Sequence, residues 1–193
     1  YKDGTTDIIG SDETWKVGEG PILRNSIYLG EVYDARKEQT GWDKPGFDDK
    51  KWRNATLAQD NTGPLVAQSQ PPIRVRSQWN AIKQTEPKPK VYIYDLGVNF
   101  AGWVSISLSI TKGAEIKLRY GELLNKDGTL NPMTSVAGQI KGVRQGTSES
   151  IGGPGAPSIA WQSDTYIAKG VQNETYTPRF TFHGFRFVEI TGL

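Results

Sequence analysis

The chain has 193 residues, with 23 Lys and Arg against 21 Asp and Glu, a net charge of +2 and no Cys. Basic and acidic residues are interspersed, and no apolar run approaches the roughly twenty residues that span a bilayer. We therefore expect no nucleic-acid partner and no membrane partner. The absence of Cys excludes disulfides and thiolate chemistry.

Short strand pieces and turns are predicted for the first part of the chain. Strand pieces are expected at residues 8–9 and 14–16, and a longer strand over residues 22–30. Met133 is the only Met, so Tyr1 is not a translation start. We expect the chain to be a piece of a longer protein.

Two carboxylates and a guanidinium follow the predicted strand. Glu31 and Asp34 are separated by three positions and lie beside Arg36. Side chains at this spacing on a strand point to opposite faces, which disfavours a paired sugar-binding site. We expect an internal salt link to Arg36 or a hydrogen bond in a turn.

Turn residues and irregularly spaced aromatic residues fill residues 37–63. This pattern predicts a loop that packs aromatic side chains onto a sandwich. Two Pro within residues 86–90 disfavour a helix and indicate an extended linker. The expected domains are residues 1–87 and residues 88–193.

Strand periodicity is clearest after this point. Residues 91–97 are apolar on both faces, and residues 104–110 alternate Val, Ile and Leu with Ser. Ile116, Leu118 and Tyr120 repeat the alternation. Together these segments predict buried and half-buried strands in the second domain.

A long loop and a closing strand complete the pattern. Residues 131–157 are rich in Gly and predict a loop of the length that is usually functional or mobile. Phe180 and Phe182 alternate with polar residues, and beyond Gly184 the apolar positions change parity. We predict a long central strand with a β-bulge at Gly184.

The fold class follows from the strand pattern. No segment has the periodicity of a helix of two turns, whereas short strands and turns recur along the chain. The predicted fold is all-β, with antiparallel jelly-roll-like β-sandwiches and no substantial helix.

Several motifs resemble one enzyme family in the same order. Residues 178–187, Pro-Arg-Phe-Thr-Phe-His-Gly-Phe-Arg-Phe, resemble the strand that closes the sandwich before the catalytic barrel in bacterial α-L-rhamnosidases, glycoside hydrolase family 78. Residues 42–52 resemble its Trp-Asp-x-Pro-Gly-Phe-Asp-Asp-x-x-Trp, and residues 119–124 its Arg-x-x-Glu-x-Leu. Residues 95–104 resemble its Asp-x-Gly-Gln-Asn-x-x-Gly-Trp, with Val98 in place of Gln.

The resemblance implies a parent enzyme that removes terminal L-rhamnose by inversion, using acidic residues on an (α/α)6 barrel. It implies two partners for this chain, the missing barrel of the same polypeptide and a rhamnose-containing carbohydrate. The leading hypothesis is a non-catalytic fragment that supports the barrel and helps to bind carbohydrate. A bacterial periplasmic or secreted location is favoured over the cytoplasm, although the compartment stays open.

Two alternatives come from other functional classes. The first is a stand-alone carbohydrate-binding, lectin-like module. The second is a complete small hydrolase, which is disfavoured because no convergent catalytic group is visible in the sequence.

Sugar rings stack on aromatic faces, while their hydroxyls bond to amides and carboxylates. Trp42 with Asp43, and Trp103 near Asn99, are the candidate carbohydrate-binding residues. Most Trp in a sandwich belong to the core, so a structural role is the alternative for each.

The resemblance implies calcium as an alternative cofactor, because some rhamnosidase N-terminal domains resemble a module that reaches rhamnose through a bound calcium. Calcium needs roughly six to eight oxygen ligands. The local candidates are Asp43, Asp48, Asp49, Asp60 and Asn61, without the spacing of an EF-hand. The expected cofactor set is therefore none, with calcium as the alternative.

Four residues are predicted to lie at a domain interface. Arg119, Glu122 and Arg186 suggest a charged network that orders the surface on which the barrel docks. His183 is the only His, and we expect a polar strand residue at that interface rather than a general acid or base. The surface itself should be partly apolar and exposed.

Overall fold

The computed structural model describes residues 1–58, 63–64, 66–136, 142–143, 146, 150–151 and 159–193. The all-β prediction is confirmed, since the two helical segments of the described part are short 3-10 turns, Ala35–Lys37 and Pro132–Ser135. No helix in these ranges is long and apolar enough to cross a membrane.

Fifteen strands are found among the described residues. In chain order they are β1 (Lys16–Val17), β2 (Ile22–Ser26), β3 (Gly30–Asp34), β4 (Arg53–Asn54), β5 (Lys83–Lys88), β6 (Val91–Gly102), β7 (Ile106–Leu108), β8 (Glu115–Gly121), β9 (Leu123–Leu124), β10 (Leu130–Asn131), β11 (Gly142–Val143), β12 (Ser150–Ile151), β13 (Ser163–Ile167), β14 (Glu174–Tyr176) and β15 (His183–Thr191).

The chain divides into two compact units. The first unit contains Tyr1–Gly20 and Gln39–Arg74, and the second contains Pro21–Glu38 and Val75–Leu193. The segment Pro21–Glu38, which carries β2 and β3, thus belongs with the later residues of the chain.

The first unit has little regular structure. Its two short strands, β1 and β4, pair antiparallel, and Lys16 Nζ donates to Asn54 Oδ1 at 2.6 Å. The rings of Phe47 and Trp52 pack with their centroids 5.5 Å apart. The strand piece predicted at residues 8–9 does not form, and both Ile side chains are exposed to solvent.

The second unit is organised by a seven-stranded sheet in the order β2-β3-β13-β8-β15-β6-β5. All neighbours are antiparallel except β3 and β13, which run parallel, with Thr165 opposite Val32. Antiparallel sheets were predicted from the sequence, and this parallel pair was missed. Parallel strands are joined by long connections, which leave no hairpin pattern in the sequence. The sheet is therefore mixed.

The larger of two buried apolar clusters lies on one face of this sheet. Ile116, Leu118 and Tyr120 on β8 are fully buried, as their alternation predicted. Ile106 and Leu108 on β7, which pairs with β14, pack against the same core. This second layer gives the unit a sandwich arrangement, although β7 is shorter than the strand predicted over residues 104–110.

The closing strand β15 is central, as predicted, because it pairs with both β6 and β8. It begins only at His183, so the prediction of a strand through Phe180 and Phe182 is wrong. The irregularity lies between Phe185 and Phe187, not at Gly184. Its cause is on β6, where residues 96–99 form an expanded segment opposite a single residue of β15.

The linker predicted at residues 86–90 is instead a β-hairpin. Strands β5 and β6 pair, and Lys90 adopts a positive φ of 61° in the turn between them. The Lys90 N–H donates to Glu86 Oε1 at 2.8 Å. Pro87 is tolerated because it lies on an edge strand, where the register shifts between Thr85 and Lys88.

The loop predicted over residues 131–157 lies largely outside the described residues. Within the described part, Pro132–Ser135 forms a 3-10 turn that Asn131 caps by accepting from the Met133 N–H. Strands β11 and β12 pair antiparallel.

Candidate functional site

Two buried carboxylates anchor one end of the second unit's sheet. Asp164 on β13 and Glu31 on β3 are both 0% exposed. Asp164 Oδ1 accepts from the Glu31 N–H at 2.8 Å, and its Oδ2 accepts from the Tyr120 hydroxyl. His183 Nε2 lies 3.1 Å from the same Oδ2. Asp164 thereby connects β3, β8, β13 and β15.

The Glu31 carboxylate extends this network to the chain before the closing strand. It accepts from the Tyr176 hydroxyl at 3.2 Å, from Asn25 Nδ2 at 2.9 Å and from the Arg179 N–H at 3.3 Å. Burial raises the pKa of Glu31, and the nearby charge of Asp164 adds to the effect. Three donors stabilise a carboxylate that is out of contact with solvent.

His183 belongs to this network rather than to an exposed surface. Its side chain is buried, its ring stacks on Tyr120 with centroids 4.1 Å apart, and Nδ1 lies 3.1 Å from Gln162 Oε1. Burial, followed by the Asp164 charge, raises the pKa of Tyr120. The expectation that His183 contacts another domain does not fit a side chain buried within this unit.

Sequence reasoning missed the network but placed one neighbouring contact correctly. Asp34 accepts from the Arg36 backbone N–H and pairs with its guanidinium at 2.8 Å, as expected for an internal salt link. The Arg36 side chain holds the pKa of the Asp34 carboxyl below its usual range. No local signal pairs Glu31 with Asp164, which is 133 positions away.

Five large apolar side chains are exposed on the loops that the network holds together. They are 38 to 68% exposed and form what we name the aromatic patch: Ile27, Tyr28, Trp161, Phe180 and Phe182.

Hydrogen bonds join these loops directly. Thr181 Oγ1 donates to the Ser26 carbonyl at 3.2 Å, and the Ser163 N–H donates to the Leu29 carbonyl at 3.3 Å. The patch is therefore presented on loops anchored to the sheet. Large apolar side chains exposed on neighbouring loops are typical of an interaction surface.

Comparisons with known proteins match both parts of the chain to one family. Residues 1–77 match the model described as the α-L-rhamnosidase N-terminal domain. Residues 85–193, more than half of the chain, match the bacterial α-L-rhamnosidase concanavalin-like domain. The chain belongs to the bacterial α-L-rhamnosidase family.

The α-L-rhamnosidase of Streptomyces avermitilis is 42% identical over 194 residues, which cover 100% of this chain and 17% of that protein. Its crystal structure in complex with L-rhamnose superposes with a TM-score of 0.83. The α-L-rhamnosidase from Dictyoglumus thermophilum has a TM-score of 0.81 and 42% identity, with 100% of this chain and 19% of that chain covered. This rhamnosidase chain thus spans less than a fifth of the length of these relatives.

The segment that carries β2 and β3 lies within the N-terminal rhamnosidase model in sequence. In the structure, however, β3 pairs with β13, which lies in the concanavalin-like match. The Glu31 and Asp164 network therefore crosses from one rhamnosidase family model to the other.

The predicted charged network of the rhamnosidase interface is not a single network. Arg119 pairs with Glu189 at 3.1 Å, while Arg186 pairs with Asp95 through two contacts of 2.8 and 2.9 Å. Arg186 holds the pKa of the Asp95 carboxyl below its usual range. Glu122 is exposed, and its backbone N–H donates to Thr134 Oγ1 at 2.8 Å.

The four predicted carbohydrate-binding residues fall in both units. In the first unit, Trp42 is 62% exposed and Asp43 beside it is exposed, 3.8 Å from Lys44 Nζ. In the second unit, Asn99 is exposed in the expanded segment of β6, and Trp103 is half-buried directly after that strand. Trp42 is the more accessible of the two indoles.

The calcium candidates do not form a metal site among the described residues, where no group of three or more carboxylate or His side chains could hold an ion. Asp48 lies 3.7 Å from Lys50 Nζ, and Asp43 also has a Lys neighbour. Asp60 and Asn61 lie outside the described residues. The described side chains therefore do not fit calcium.

Proposed function

We propose that this chain is a non-catalytic, β-rich part of an α-L-rhamnosidase whose full-length form hydrolyses terminal α-L-rhamnose from glycosides or polysaccharides. The observation that carries the proposal is the small share of each relative's length that the chain covers. Relatives named α-L-rhamnosidase align with the whole chain at 42% and 35% identity, yet the chain covers only 17 and 18% of them. The chemistry is assigned to the remainder of the polypeptide.

The buried carboxylates support a non-catalytic role. An inverting glycosidase places two carboxyls about 6.5 to 9.5 Å apart with a water and the sugar between them. Glu31 and Asp164 are joined through a backbone N–H and are both 0% exposed. Neither can reach a sugar without unfolding of the surrounding strands.

Support of the catalytic domain is assigned to the aromatic patch. Docking would remove its apolar area from water, which is favourable at about 25 cal/mol for each Å2. Thr181 and Ser163 anchor the loops that carry the patch, so little backbone freedom is lost on association. The test is whether the chain associates with the separately produced remainder of the full-length polypeptide.

A second candidate function is direct carbohydrate binding through Trp42. The favouring observation is that this indole is 62% exposed, beside the exposed carboxylate of Asp43. The ring offers a stacking surface, and the carboxylate can accept from sugar hydroxyls. L-rhamnose is the sugar to test, because it is the ligand named with the Streptomyces avermitilis structure.

Calorimetric titration with L-rhamnose is expected to give heat that the Trp42→Ala variant abolishes, because the stacking surface is removed. Trp15→Ala is the matched control, since Trp15 is another half-exposed indole of the first unit. The titration is run with calcium and with chelator, and equal heats are expected. No heat with the unmodified chain would leave docking as the proposed role, and loss of the heat in chelator would show that sugar binding requires a metal ion.

A further inference from the structure

A groove of about 330 Å3 opens on the second unit. It is lined by Tyr33, Thr175, Tyr176, Thr177, Pro178 and Arg179. The volume falls at the lower end of the roughly 300 to 1,000 Å3 of ligand pockets. A single sugar residue is the size of ligand that suits it.

The base of the groove is aromatic and held in place. The Tyr33 ring packs against Tyr176 and Tyr166, with centroids 5.6 and 6.0 Å away. Its hydroxyl donates to Glu38 Oε1 at 2.9 Å. Tyr33 remains partly exposed, so the fixed ring offers a stacking surface to a ligand.

The charge at the groove comes from Arg179. Its backbone N–H is tied to Glu31, whereas its exposed guanidinium has no carboxylate partner within 4 Å among the described residues. The nearby Glu38 is compensated, because its second oxygen is 2.6 Å from Lys169 Nζ. Glu31 is buried behind Tyr176 and satisfied by three donors.

Two hydroxyls complete the lining. Thr177 Oγ1 donates to Ser105 Oγ at 2.8 Å, which leaves its lone pairs as acceptors. Thr175 is exposed and lies 3.5 Å from Ser107 Oγ. The groove thus combines a ring face, hydroxyl groups and a guanidinium that has no carboxylate partner within the described ranges.

We propose that this groove binds a pyranose bearing a carboxylate, that is, a uronic acid residue of a polysaccharide. The sugar ring stacks on Tyr33, its carboxylate forms a two-point contact with the Arg179 guanidinium, and its hydroxyls bond to Thr175 and Thr177. Arginine suits this task because its planar fork matches the geometry of a carboxylate. A neutral sugar uses the ring and hydroxyls only and binds more weakly.

The experiment is an NMR titration of the whole 15N-labelled chain with methyl α-D-galacturonate and, separately, with methyl α-D-galactoside, which differs mainly by the charged group. We expect shifts of the Arg179 and Thr177 amides with the uronate and at least about tenfold weaker binding of the neutral glycoside. Arg179→Gln should weaken uronate binding by a similar factor.

Two controls separate the site from general attraction of anions. Lys117→Gln removes one exposed positive charge elsewhere on the unit and should leave binding unchanged. Inorganic phosphate titrated against the unmodified chain should give a weaker response than the uronate. Equal binding of both sugars, equal effects of the Lys117 and Arg179 variants, or a response to inorganic phosphate as strong as to the uronate would overturn the proposal. Rhamnose titrated against Trp42 variants reports separately on the other candidate site.

Discussion

Replacing Asp164 by Ala is expected to lower the free energy of unfolding of the second unit by about 3 to 5 kcal/mol. The substitution removes the acceptor of the Glu31 N–H, the Tyr120 hydroxyl and His183 Nε2, all in a site without solvent contact. Each buried donor left without a partner costs free energy. Urea unfolding followed by near-UV circular dichroism measures the loss.

Two comparisons make this result specific. Asp164→Asn keeps an acceptor for the Glu31 N–H and should lose only part of the stability. Asp127→Ala removes a carboxylate whose side chain is 58% exposed and should cost less than about 1 kcal/mol. If Asp164→Ala proved as mild as Asp127→Ala, the buried network would not hold the sheet end together.

The Gly30→Ala variant is expected to destabilise the second unit by more than about 3 kcal/mol. Gly30 has a φ of +81°, which costs an L-residue about 1 to 2 kcal/mol. An added Cβ would also lie 2.6 Å from Asp164 Oδ1 and 2.7 Å from the Ser163 carbonyl carbon. The Ser163 backbone is fixed within β13, so β3 must shift away from it. The hydrogen bond from the Glu31 N–H to Asp164 is then lost.

The Gly128→Ala variant separates the cost of backbone strain from the cost of steric overlap. Gly128 has the same φ of +81°, but its nearest neighbour would be Pro87 Cβ at 3.6 Å, an ordinary contact. This variant should lose only the roughly 1 to 2 kcal/mol of backbone strain. Equal losses for Gly30→Ala and Gly128→Ala, measured by urea unfolding, would show that the close approach of β3 and β13 is unimportant.

Features set by local periodicity could be predicted from the sequence. The alternation at Ile116, Leu118 and Tyr120 identifies a half-buried strand, and these side chains form the core. Where a strand forms, its period-2 pattern reports which face of the sheet each side chain occupies. The central position of β15 was predicted from the same kind of pattern.

The aromatic patch shows where this reasoning fails. Phe180 and Phe182 alternate with polar residues as a buried strand would, yet they are 68 and 38% exposed. Alternation of apolar and polar residues identifies an amphipathic segment, but it does not show what covers the apolar side chains. A docking surface and a core face therefore have the same sequence pattern.

The buried network could not be predicted for a different reason. Glu31, Asp164 and His183 come from strands that are brought together by a parallel pairing over 133 positions and by the central strand. Nothing local to any of the three indicates the others. The hairpin at Lys90 was missed because Pro87 suggests a linker unless the strand is known to be at an edge.

The most direct test of the proposed role is the association constant between this chain and the remainder of the full-length polypeptide, measured by calorimetry. We expect association, weakened at least about tenfold when Trp161 and Phe180 are both replaced by Ser, because burial of large apolar side chains dominates such interfaces. Val171→Ser, at an exposed apolar residue outside the aromatic patch, should have no effect. Absence of association, or equal affinity for all variants, would contradict docking through this patch.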